Sequence, residues 1–166
     1  MLIVLGGLPG TGKARILKAL AAKLSASYIR IDEIEHALRK HSEFARDIGF
    51  LGYVVAFAIA ASNLKFGNLV VADSVNPVPE SRQGWRYVVR AIEGSHLMEV
   101  EIICSDENEH RRRVEGRASD IHGFTLPTWA SVVSHDYVPW VEPRLIVDTA
   151  IFVFQMRSQR LKRSWR

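Results

Sequence analysis

The chain has 166 residues, one domain's worth, with 48% hydrophobic and 24% charged residues, a balance that excludes an intrinsically disordered chain. Its one cysteine, Cys104, excludes an intramolecular disulfide. The start Met1-Leu2-Ile3-Val4-Leu5 lacks the charged region of a secretory signal, so a reducing cytoplasm is the expected compartment. The net charge is +4, yet five of the 22 basic residues (Arg157, Arg160, Lys162, Arg163, Arg166) follow Ala150 without an acid, leaving 17 against 18 acids before it. The basic character therefore belongs to a C-terminal tail, residues 150–166, and contact of that tail with nucleic acid is open but not favoured.

In chain order, Leu2 to Leu5 is a short apolar run before glycines, as expected of a strand buried on both faces. Lys13 to Leu24 has helical spacing, with Ile16, Leu20 and Leu24 on one face. Tyr28 to Ile31 reads as a second strand ending at Asp32, and Glu33 to Lys40 as a helix. Ile48 to Leu64 carries no formal charge over 17 residues. That is the lower limit for a membrane span, but two glycines, Ser62 and Asn63 favour a buried helix of an α/β domain. Asn68 to Ala72 is a third strand ending at Asp73. After the loop Asn76-Pro77-Val78-Pro79, Glu80 to Ile92 is a helix stopped by Gly94.

Leu97 to Cys104 is expected to be a fourth strand. Asp106 to Ala118 is a charged helix with Ser105 or Asp106 as its N-cap, followed by a loop over 119–127 and a short helix over 128–134. Leu145 to Val147, ending at Asp148, is the fifth strand. Strand and helix alternate throughout, without internal repeat or linker, which implies a parallel sheet covered by helices in one domain over residues 1–149.

The chemistry-bearing segment is Gly7-Leu8-Pro9-Gly10-Thr11-Gly12-Lys13. Its spacing is Gly, four residues, Gly, Lys, between a buried strand and an amphipathic helix, the context in which such a loop binds phosphate. Glycines let backbone N–H groups turn toward phosphate oxygens, the helix start adds positive potential and Lys13 adds a full charge. The expected nucleotide-binding set is Gly7, Leu8, Pro9, Gly10, Thr11, Gly12, Lys13, Ala14 and Arg15. The residue after the lysine ordinarily supplies a hydroxyl to Mg²⁺; Ala14 cannot.

The loop, its N-terminal position and the chain length resemble the small P-loop kinases, a nucleoside-monophosphate-kinase-like group carrying an AAA-type ATPase description. The group includes shikimate, gluconate and chloramphenicol-type phosphotransferases and the kinase domains of polynucleotide kinases. The resemblance covers residues 1 to about 149. It implies a three-layer α/β/α P-loop NTPase fold with a five-stranded parallel sheet of order 2-3-1-4-5, a short arginine-bearing lid, and ATP with Mg²⁺ as cofactors.

Site roles follow from the resemblance and from the rule that chemistry gathers beyond the carboxyl ends of parallel strands. Asp32 matches the acid near the acceptor hydroxyl, as proton acceptor or Mg²⁺ partner; as a bland alternative, Asp32 and Glu35 form a capping box. Asp73 resembles a Walker B-like carboxylate that holds Mg²⁺ through water, or else a loop cap. Asn76 and Arg82 fall where this group contacts its acceptor. Lys13, Arg113 and Arg117 are the expected catalytic cations, the two arginines sharing a helix face and Arg112 pointing elsewhere. The bland reading pairs Arg113 with Glu109 on a solvated face. Asp148 is expected to be structural, Trp129, Tyr137 and Trp140 to be packing residues, and Cys104 a small buried hydrophobe; the histidines show no zinc-ligand spacing.

Three functions compete on this basis. The first is an ATP-dependent transfer of the γ-phosphate to a hydroxyl or phosphate of a small molecule. The second is a nucleotide-binding regulatory protein, favoured by Ala14. The third is a polynucleotide 5′-end kinase-like activity, with the basic tail tethering its substrate.

Overall fold

A computed structural model describes residues 1–41 and 48–151. The tail assigned to residues 150–166 lies, from residue 152 on, outside the described residues. The elements, in order, are β1 (Leu2–Gly6), α1 (Lys13–Leu24), β2 (Ser27–Arg30), α2 (Ile31–His41), α3 (Leu51–Lys65), β3 (Val70–Asp73), α4 (Pro79–Arg90), β4 (Leu97–Ile103), α5 (Glu107–Glu115), α6 (Trp129–Val133) and β5 (Leu145–Asp148). The five strands form one parallel sheet of order β2-β3-β1-β4-β5. This is the three-layer P-loop NTPase architecture.

Residues of β1 alternate between two cores. Leu2 and Val4 join Ile29, Val70, Ala72 and Trp85 on the face covered by α3 and α4. Ile3 and Leu5 join Leu17, Ala21, Val71 and Ile102 on the face covered by α1. A strand covered on both faces has no polar side, hence its uninterrupted apolar run. The apolar segment 48–64 resolves into a turn and α3, which buries Tyr53, Ala56, Ala60 and Leu64 and leaves Val54 and Ile59 exposed. Among the described residues no helix is long and apolar enough to cross a membrane.

Three shifted boundaries bear on the site residues. The second strand stops at Arg30 and α2 begins at Ile31, so Asp32 lies in the first helical turn and Glu35 pairs with Arg39 at 3.1 Å; no capping box forms. The fifth helix starts where expected, Asp106 Oδ1 accepting the Glu109 amide at 3.0 Å, but Gly116 ends it. Arg117 therefore lies beyond the helix, and its shared face with Arg113 is lost. Cys104 lies past the end of β4 and is half-exposed, not a buried hydrophobe.

A buried node joins α4 to the loop after β3. Trp85 is fully buried, meets Phe57 edge-on at 4.7 Å and donates from Nε1 to Asn76 Oδ1 at 3.0 Å. Replacing Trp85 by alanine leaves a large void and an unpaired amide, at a cost of about 3–5 kcal/mol. Urea unfolding of Trp85→Ala should show a lower midpoint at an unchanged slope.

Candidate active site

β1 runs directly into the loop, where Gly7, Gly10 and Gly12 have φ of 131°, 87° and 100°. At Gly7 the sterics add a second demand: a Cβ would lie 2.1 Å from the carbonyl oxygen of Ile102. A side chain there is excluded both by its backbone angle and by the neighbouring strand. The helix that follows has no side-chain cap and no acid in its first turn. Its leading amides are thus free of competing acceptors and keep their positive potential for an anion.

Lys13 is buried and folds back on the loop, donating to the carbonyls of Gly7 and Leu8. Burial pushes its ammonium below the ordinary value, and the carboxylates of Asp73 and Asp32 push back. Asp73, buried at the end of β3, accepts from the Tyr28 hydroxyl at 2.9 Å. Burial raises its carboxyl, opposed by Lys13 and the Tyr28 hydrogen bond.

These groups line a cavity of about 770 Å³ with Gly10, Gly12, Ala14, Arg15, Asp32 and Ser74 on one side and Arg112, Arg113 and Arg117 on the other. Arg112 thus lines the cleft, contrary to expectation, while its charge pairs with Glu109. Arg113 donates to Glu109 at 2.8 Å, the bland pairing, and also to Thr149 Oγ1 at 2.8 Å. Arg117 has no ion pair among the described residues, and its Nε is buried without a partner. Burial lowers its guanidinium and Asp32 raises it, which leaves an arginine charged.

Asn76 and Arg82 stand apart from this cleft and correct the expectation of acceptor contact. Both are essentially fully buried, at 0% and 1% exposure. Arg82 spends its donors on the carbonyls of Asn76, Pro77, Val138 and Pro139 and stacks 4.4 Å above Trp140. It ties the 137–140 segment to the loop after β3, a packing role that also employs Tyr137 and Trp140. Trp129 packs edge-on to His110 at 5.2 Å. Asp148 is structural, accepting the amides of Ser105 and Ala150.

Several residues of the site were missed in the sequence. His110 Nε2–H donates to the carbonyl of Pro9 at 2.8 Å and steadies the loop's outer turn. Thr149 Oγ1 lies 2.7 Å from the carbonyl of Thr11 and 3.1 Å from that of Ile103, tying the loop to β4. Arg30, the last residue of β2, lines the cleft and meets Asp120 of the 119–127 loop at 2.9 Å. Only Arg30 had a signal available: a cation at the carboxyl end of a strand beside Asp32.

A second cavity of about 560 Å³ adjoins the first and shares Pro9, Arg30, Asp32, Val75, Arg117 and Leu126 with it. Asp32 and Arg117 thus stand at the junction of two chambers, one of them centred on the phosphate loop. For Mg²⁺, the oxygen-bearing side chains that line the cavity with Ala14 include Asp32, Asp73 and Ser74; Glu109 and Asp120, which also line it, are paired with arginine or lysine. Among the described residues no cluster of three or more metal-ligating side chains exists. The donor set fits a Mg²⁺ that arrives on nucleotide phosphates and keeps its waters, with carboxylates outside it, and not an all-protein cage.

A strand–loop–helix phosphate cradle at the carboxyl edge of this sheet defines a P-loop NTPase. The AAA domain family model matches residues 2–130, and the chain belongs to that family. No curated protein sequence matches it. Among solved structures, the Mycobacterium tuberculosis APS kinase in complex with AMPPNP and APS is similar at 22% identity, with a TM-score of 0.64 over 95% of this chain and 96% of that one. A gluconokinase from Sinorhizobium meliloti is similar at 22% identity, with a TM-score of 0.59 over 89% of this chain and 82% of that one. At these identities the likeness establishes the fold.

Asp120 closes the 119–127 loop over the cleft, accepting from both Lys18 and Arg30. Those two hydrogen bonds hold its carboxyl well below the usual range. The folded value is below the unfolded one, about 3.9, so the latch is intact above that pH and is lost only as pH falls through the folded value. An NMR titration of Asp120 should therefore show it ionised from pH 8 to below 4. Asp120→Asn should speed amide exchange in residues 119–127 at neutral pH, with little change elsewhere.

Proposed function

We propose that this protein is an ATP-dependent phosphotransferase acting on a small-molecule acceptor. The observation that carries the reading is the pair of joined chambers: Gly10, Gly12 and Lys13 of the phosphate loop line one, the other meets that loop at Pro9 alone, and Asp32 with Arg117 lines both. A hydrolytic or purely binding protein has no need of a second chamber across the γ-phosphate position.

In this reading the loop amides, the start of α1 and Lys13 bind the β- and γ-phosphates of ATP. The acceptor oxygen attacks the γ-phosphorus in line, the bond to the β–γ bridging oxygen breaks and ADP leaves. Asp32 takes the acceptor's hydroxyl proton. Arg117, unpaired and facing both chambers, neutralises charge on the transferring group, and Arg113 holds the loop through Thr149 and adds to the field. Mg²⁺, when bound with the nucleotide, offsets phosphate charge, and Asp73 with Asp32 would hold its waters. The similar structures are a gluconokinase and an APS kinase, both named for small acceptors, and the shared architecture over most of this chain supports the same class here.

Ala14 favours a second reading, a protein that binds nucleotide without transfer. The two separate on measurement of ADP formation from Mg-ATP with an acceptor panel, alongside nucleotide affinity. Lys13→Ala should abolish both affinity and turnover. Arg117→Ala should retain affinity and lower kcat about 10³-fold or more. Ala14→Thr should strengthen the Mg²⁺ dependence of nucleotide binding. Tight binding with no transfer in either the parent or Ala14→Thr would instead establish the binding protein.

A further inference from the structure

The phosphotransferase reading leaves the acceptor open, and the second chamber carries information about it. Its volume, about 560 Å³, suits a small organic molecule and not a polymer end. Its charges fall into two groups. Arg30, Asp32 and Arg117 line both chambers, so they face the transferred phosphoryl group. Beyond that junction the ionisable lining residues are Glu35, Arg39 and His135. Glu35 and Arg39 are paired at 3.1 Å one helical turn apart, and His135 is solvent-exposed.

An acceptor with its own phosphate, sulfate or carboxylate would need a cation of its own, typically a bidentate arginine. Arg39 pairs through Nη2 with Glu35 at 3.1 Å, so an anionic acceptor would compete with that carboxylate for it. Burial raises the Glu35 carboxyl above its ordinary value even with Arg39 beside it, so the chamber already disfavours the anion it contains. The apolar part of the wall is Ile31, Phe124, Leu126 and Val132 with the ring of Tyr53, whose hydroxyl accepts the Asn76 amide at 3.0 Å. Of the lining hydroxyls, Thr128 Oγ1 accepts the Ser131 amide, Ser131 Oγ donates to the Thr128 carbonyl, and Thr125 is exposed.

We infer that the acceptor is an uncharged alcohol with an apolar ring or branched body, seated against Phe124 and Val132 with its hydroxyl toward Asp32. This rests on the phosphotransferase reading for the role of the chamber, while the chemistry of the ligand rests on its walls.

The test uses the full chain with AMPPNP and Mg²⁺. Ligand-observed NMR compares a panel of uncharged aryl and branched alkyl alcohols with their phosphate, carboxylate and amine derivatives. The uncharged set should bind at least tenfold more tightly than the charged ones. Phe124→Ala should raise its Kd about tenfold with the AMPPNP Kd and far-UV circular dichroism unchanged, and Arg39→Gln should leave alcohol binding intact. Tighter binding of the anionic set, lost in Arg39→Gln, overturns the inference, as does tighter binding of the amines or no binding by any set. Replacing AMPPNP with ATP and following phosphoester formation by ³¹P NMR separates the two claims: alcohols that bind but are never phosphorylated overturn the phosphotransferase reading and leave the ligand class standing.

Discussion

A buried ammonium is the constraint on which this molecule is built. Lys13 is 8% exposed, and a charge so far out of water is tolerated only where opposite charge and hydrogen-bond acceptors surround it. Two loop carbonyls accept from it, and Asp73 and Asp32 set the field around it. Those carboxylates come from different parts of the chain. The sheet register brings them in: Leu5 of β1 stands beside Asp73 of β3, which stands beside Arg30 of β2. Only with β3 between β1 and β2 do the strand ends deliver an acid, a second acid and an arginine to the same side of the loop. Strand order and lysine burial are thus one requirement seen twice.

The loop's shape is held from behind with equal economy. Thr149 after β5 and His110 of α5 donate to the loop carbonyls of Thr11 and Pro9, and Ile102 of β4 lies too close to Gly7 for any Cβ there. Preorganised amides bind phosphate without a reorganisation cost on binding, and these three contacts provide that rigidity from outside the loop. Asn76, Arg82 and Trp85 do the corresponding work for the segment after β3. Their buried polar atoms look functional by residue type, yet the geometry commits most of them to backbone carbonyls and to one another.

This contrast explains what could be read in the sequence. Strand–helix alternation, the phosphate loop and the acids at strand ends are local patterns, and the sheet order followed from the resemblance they carried. Asp32 was legible because it follows the short β-like segment Tyr28 to Ile31, although it opens α2 and does not end β2. Arg82 misled because an arginine after a strand-end loop has the same local signature whether it faces a ligand or the core; its burial depends on Trp140 and the 138–139 carbonyls, nearly 60 positions away. Thr149 and Asp120 were illegible for the same reason: their partners, Thr11, Lys18 and Arg30, lie about 90 to 140 positions away. The end of α5 at Gly116 was a local signal, a glycine inside a charged helical pattern, and giving it full weight would have separated Arg117 from Arg113.

That separation matters for the chemistry. On one helix face, the two arginines would have been equivalent. Instead Arg113 is fixed at the helix end by Glu109 and Thr149, while Arg117 hangs beyond Gly116 with its Nε buried and unpaired. A fixed cation shapes the resting field; an unpaired one has unspent hydrogen-bonding capacity that an incoming anion can satisfy. The position of Ala14 gives this asymmetry weight. In the proposed phosphotransfer, one hydroxyl fewer to hold a metal against the phosphates would leave more of the charge neutralisation to side chains with unspent hydrogen-bonding capacity. Arg117, which lines both chambers, is such a side chain: among the described residues it forms no ion pair, and its Nε, like that of Arg30, is buried without a partner.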